Sequence, residues 1–155
     1  MNLFKSSEKE KELKAGIYFT HTSEGTVQDG LVDRIIDLSK KIDIFLGPEY
    51  LLRPLGGCYS IGEKNQILDR IANKTKGSLV IPGTILWHDD STLHNTCPVI
   101  YDGNVHEYNK YNQDLAMQST ARKFNLRVGS GSGQKIHEWN DLNYSPLKWR
   151  GFTTN

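Results

Sequence analysis

Residues 42–52 read IDIFLGPEYLL. From Ile42 to Leu46 the run is too continuous in apolar content for a strand with one wet face, so it reads as a strand covered on both sides. Pro48 ends it, and the next residue is a carboxylate, Glu49. A strand leaving the core straight into Gly-Pro-Glu places an acid at the edge of a sheet, where α/β proteins bind ligands.

The flanking periods support a layered α/β arrangement. Upstream, Leu31, Ile35, Leu38 and Ile42 fall on one helical stripe, with Asp29 near the N-cap position and Lys40 and Lys41 at the far end. Before that helix, KAGIYFTHT (14–22) has the β-branched and aromatic content of a buried strand. Downstream, Ile67, Leu68, Ile71 and Ala72 predict a helix over 65–74, closed by Gly77. SLVIPGTILW then reads as a third strand with a Pro-Gly interruption, TCPVIYDG as a fourth ending in an Asp-Gly turn, and NVHEYNK as a fifth paired with it. Strand, helix, strand, helix, strand, hairpin is an α/β pattern whose crossovers bring strand ends to a common edge. QDLAMQSTARKFN reads as a weak helix or loop and GSGSG (129–133) as a flexible turn.

Composition bounds the function. A chain of 155 residues is long enough for one domain with its own core. SSEKEKELK near the start is a solvated charge run, so residues 1–13 are expected to form an extension. With 19 basic against 18 acidic side chains there is no excess field to draw nucleic acid or a membrane surface. The three tryptophans lack the cationic groove that single-strand binders use. No membrane-length apolar span or leader pattern is visible, and the two cysteines, Cys58 and Cys97, read as free thiols of a reducing compartment. A soluble, cytoplasmic protein is the expectation. WHDDSTLH gathers His88, Asp89, Asp90 and His94, but at no standard ligand spacing, and reads as a polar strand connection.

Two residues stand out as candidates for chemistry. Glu49, half shielded by Phe45, Tyr50 and Leu51, is placed to have its pKa raised by desolvation, as a general base requires. On position alone it reads rather as a carboxylate that caps or solvates a loop. Lys110, at the end of the fifth strand, is placed to meet Glu49 and to stabilise an oxyanion; alone, it reads as a solubilising lysine of an edge strand.

Taken in order, GPEYLL after an apolar strand, then SLVIPGTIL, then HNTCPVIYDGNVHEYNK, resembles the nitrilase-like carbon-nitrogen hydrolases. The resemblance runs from about Lys14 to Leu142. It implies an αββα sandwich and hydrolysis of a small nitrile or amide, with no cofactor or metal and with the possibility of a homo-oligomer. By motif Glu49 takes the role of general base and Lys110 that of support for the tetrahedral intermediate. The family's third residue, a cysteine in an Ile-Cys-x-Asp context, has no counterpart: after Leu142 the chain reads NYSPLKWRGFTTN. Cys58 lies in the loop after the Glu motif and Cys97 within the Asn-Thr strand, so neither replaces it. Residues 14–142 are thus expected to be a partial domain, cut or shifted in frame near Leu142, with 143–155 a foreign tail, and to be inactive alone. The competing expectation is a non-catalytic half-sandwich that binds a partner chain or a small molecule.

Overall fold

The computed structural model describes residues 12–19, 30–54, 56–110 and 114–129, with the backbone of 148–149 and 152–153. Most of the expected N-terminal extension, Asp29, the GSGSG turn beyond Gly129 and most of the C-terminal tail lie outside these residues. The elements in chain order are β1 (Ala15–Ile17), α1 (Leu31–Ser39), β2 (Ile44–Leu46), β3 (Tyr59–Ser60), α2 (Ile61–Lys74), β4 (Leu79–Ile81), β5 (Ile85–His88), β6 (Thr92–Tyr101), β7 (Asn104–Asn109), α3 (Leu115–Phe124) and β8 (Arg127–Val128). In the tail, β9 (Lys148–Trp149) and β10 (Phe152–Thr153) form a short antiparallel pair, where the sequence shows no period. The fold class is mixed α/β, as expected.

β1, β2 and β4 run parallel, and β6 joins them antiparallel through Val80 and Ile100. The ten-residue β6 is the spine of the sheet. Along one edge it carries β4 and then β5; along the other, β7 and then β8. The expected third strand is therefore one line broken at Pro82-Gly83-Thr84, for a reason given below. The expected hairpin of the fourth and fifth strands is β6–β7, closed by Asp102-Gly103 with both residues at positive φ.

The strand register assigns the layers. Phe45, Val80, Ile85, Trp87 and Ile100 face α1 and α2, packing with Leu31, Ile35, Ile36, Leu68, Ile71 and Ala72 in the main core. Inside this layer Lys64 is 5% exposed; its ammonium bonds both carboxylate oxygens of Glu107 at 2.7 Å and lies 4.5 Å from the Trp87 ring centre. A buried cation is tolerated because the pairing and the ring replace its water. On the opposite face, Leu86 and Leu93 pack with Met117 and Ala121 of α3.

The helices depart from the sequence reading at their ends. α2 starts four residues before the expected Asn65, because Ser60 and Glu63 form a reciprocal capping box. Ser60→Ala is expected to cost about 1 kcal/mol in urea unfolding; an unchanged midpoint would show that the box contributes nothing. α1 has Gly30 at its N-cap, with φ of 81° and no side-chain cap, and ends at Ser39, so Ile42 packs on the core from beyond the helix. α3 is a full helix, held by Asp114 at its N-cap and by Asn125 at φ 53° at its C-cap.

Candidate active site

β2 ends at Leu46, and the chain turns through Gly47-Pro48-Glu49 against the break between β4 and β5. The two backbones touch there. A Cβ on Gly83 would lie 1.8 Å from the carbonyl oxygen of Pro48, and one on Gly47 would lie 2.7 Å from the carbonyl carbon of Pro82. Gly83 also has φ of 84°. Only glycine permits both the approach and the conformation. Thr84 completes the junction: its hydroxyl accepts the Tyr50 N–H at 2.9 Å and its carbonyl accepts the Leu52 N–H at 3.2 Å. The Pro-Gly interruption legible in the sequence is thus the seat of the Glu49 turn.

Lys110 reaches this turn from the other edge of β6. Its N–H donates to the Asn95 carbonyl at 2.7 Å, extending the β6–β7 ladder by one pair. Its ammonium bonds the Glu49 carboxylate, 61 residues away in sequence, and Asp114 Oδ2 at 2.8 Å. The structure therefore brings together the two residues singled out by sequence. The Glu49 side chain is 49% exposed and that of Lys110 29%, so the pair sits at the rim. Phe45, expected to help shield Glu49, is instead in the main core.

Tyr50 and Asp114 complete the cluster. Tyr50 has φ of 60°, a costly conformation for an aromatic residue, held by the Thr84 bond and by its hydroxyl donating to Asp114. The Lys110 ammonium and the Arg53 guanidinium lie 5.8 and 5.7 Å from its ring centre, and Arg53 is itself tied to the Thr120 hydroxyl at 3.0 Å. Burial pushes the Tyr50 hydroxyl well above its ordinary range, and the Asp114 charge adds to the shift. For Asp114, burial works upward, but hydrogen bonds from Lys110, Tyr50 and the Met117 N–H prevail and bring it down to about 2. The Asp114 and Glu49 carboxylates hold Lys110 above the usual lysine range. The result is a fixed cation between two anions at the end of a strand.

The sequence reading missed Asp114, and gave Tyr50 only a shielding role beside Glu49. The signal for Asp114 was an aspartate just before a helical run, four residues after Lys110; for Tyr50 it was adjacency to Glu49 alone. Burial raises the pKa of both thiols, with Arg53 pulling Cys58 partly back, so each rests as a thiol and not as an attacking thiolate. His94 and Asp89 form a pair at 2.9 Å, and the His94 ring stacks on Trp87. The strands extend further into WHDDSTLH than expected, leaving only residues 89–91 as the connection. No helix among the described residues is long and apolar enough to cross a membrane.

Comparison with family models and with curated proteins finds no match for the chain.

Proposed function

We propose that the Glu49–Lys110 cluster is the acid-base half of a carbon-nitrogen hydrolase centre of the nitrilase-like kind. The observation that carries this reading is the convergence of Glu49 and Lys110 into one ion pair beside a strained turn. The chemistry divides simply. A carboxylate at this position, paired with the Lys110 ammonium, can act as the base that takes the proton of an attacking thiol. The same ammonium, held by Asp114, faces negative charge as it develops on the oxygen or nitrogen of the attacked carbon. The thiol itself is not supplied: no Ile-Cys-x-Asp stretch is present, and Cys58 and Cys97 rest protonated. Covalent catalysis without its nucleophile falls to little.

Two measurements test the reading. The purified chain should release no ammonia from a panel of small amides and nitriles; turnover would overturn the claim of inactivity. In ¹H–¹⁵N NMR, propionamide should move the resonances of Glu49 and Lys110, and a spectrum unchanged around both would overturn the site.

A second reading has its own support. The sheet face away from α1 and α2 carries Ile44, Leu46, Ile81 and Val99, each only partly buried, and Ile17 on the same face is 62% exposed. Such a face suits one sheet of an αββα sandwich, or a module that closes its core on another chain. Light scattering after size exclusion separates the two: a compact monomer at all concentrations would count against the partner-binding module.

A further inference from the structure

Asn95 is 2% exposed, and neither its side-chain oxygen nor its nitrogen has a hydrogen-bond partner among the described residues. Its position makes this notable. On β6 it stands directly across from Lys110 on one side and Leu86 of β5 on the other, on the face where Leu86 packs with α3. Side chains opposite each other in an antiparallel ladder share a face and stand about 5 Å apart at Cβ. The unmatched amide is therefore a neighbour of the Lys110 stem, whose ammonium bonds Glu49 and Asp114.

A buried carboxamide has two donors and an acceptor to satisfy, and burying them unpaired opposes folding. A leucine of similar size would fill the same space without that penalty. Nothing among the described residues uses the Asn95 amide.

We propose that Asn95 is a substrate-contacting residue of this site and that its ligand is a primary carboxamide, bound amide to amide. A carboxamide offers an N–H to the Asn95 oxygen and a carbonyl to the Asn95 nitrogen. A nitrile offers only a lone pair, and a carboxylate adds negative charge beside Glu49 and Asp114. Both amide atoms are covered in the free chain, so binding requires a neighbouring side chain to move, and Lys110, directly across the ladder, is the one placed to do so. The inference rests on the hydrolase reading of the same cluster, and goes beyond it by choosing amide over nitrile.

The test is an NMR titration of the whole chain with propionamide, propionitrile and propionate. The Asn95 side-chain NH₂ pair should move with propionamide together with Lys110, and propionamide should bind at least about tenfold more tightly than either comparator, the loss expected when buried polar groups are left unmatched. Asn95→Leu should abolish that preference and raise the melting temperature by about 3 °C, since it removes an unsatisfied amide. If Glu49 and Lys110 respond but Asn95→Leu binds propionamide as well as the parent, the Asn95 inference falls and the site reading stands. If propionitrile binds equally, the choice of amide falls. If nothing near Glu49 and Lys110 responds, both readings fall. A lower melting temperature for Asn95→Leu would assign the amide to the fold, through a buried water, and overturn the inference. Should the variant not fold, the Asn95 resonances of the parent chain decide.

Discussion

Gly83→Ala is expected to destabilise the fold by more than about 4 kcal/mol, leaving the chain largely unfolded in buffer, because two costs fall on one atom. The first is conformational: φ of 84° is left-handed space, where a Cβ costs about 1 kcal/mol or more. The second is steric. The new Cβ would lie 1.8 Å from the Pro48 carbonyl oxygen, and that neighbour is backbone that no rotamer change can move aside. Relief requires pulling the 47–49 turn away from the break between β4 and β5, which also pulls the Thr84 bonds from Tyr50 and Leu52. Gly30→Ala is the control. Gly30 has nearly the same φ, 81°, but nothing within 4 Å of its would-be Cβ, so that variant should show only the conformational cost of about 1 kcal/mol. Urea unfolding of both variants separates the two costs. A Gly83→Ala chain within about 1 kcal/mol of the parent would show that the 47–49 turn is not held by this contact.

Where the sequence carried a period or a punctuating residue, the element was legible. Leu31 and Ile35 announced α1, the apolar run Ile44–Leu46 announced β2, although Ile44 and Leu46 are only partly buried and the strand is not covered on both sides as expected, and Asp102-Gly103 announced the β6–β7 turn. Pro82-Gly83 announced a break in a strand, but its cause was not readable, because Gly47 and Pro48 lie thirty-odd positions earlier in the chain and only the fold brings them together. α3 was ambiguous for a different reason. Its core-facing residues are Met117, Thr120 and Ala121, two of them small and one polar, while its most apolar-looking member, Leu115, is 83% exposed. An apolar stripe cannot be counted when the helix packs through small side chains. β3 and β8, at two residues each, are too short for any period and exist because longer neighbours offer them an edge. The candidate site divides the same way. Glu49 and Lys110 were reached through ordered motifs, whereas Tyr50 depends on a backbone angle, Asp114 on a cap, and Asn95 on the absence of a partner, none of which a string of letters displays.

Asp114 should prove to be the residue that links this cluster to pH. It accepts bonds from the Lys110 ammonium, the Tyr50 hydroxyl and the Met117 N–H, and is only partly exposed. Asp114→Asn keeps a side-chain oxygen for the helix cap and removes the charge, so the difference between the two chains isolates the electrostatic contribution. With the folded-state pKa at about 2 against an ordinary 3.8, the parent should be more stable than the variant by about 2 kcal/mol at pH 7, after allowance for partial exposure. A depressed carboxylate pKa stabilises the fold fully above the unfolded value. The advantage should thus be complete above about pH 4 and vanish as pH falls through 2. The alkaline limb has the opposite sense. Lys110 and Tyr50 are both raised in the folded chain, so their contribution is complete below about pH 10 and is lost as pH rises through their folded values. Asp114 is the leading cause of the lysine shift, so the variant should lose stability less steeply there. Other acids with lowered pKa values, Glu63 and Asp89, lie outside the cluster and are common to both chains, so they cancel in the comparison. Urea midpoints for parent and variant at pH 7, 4, 3 and 2 give the acid curve directly. Two curves that stay parallel across that range would mean that the Asp114 carboxylate is not held by Lys110 and Tyr50, and the fixed cation on which the proposed chemistry depends would lose its anchor.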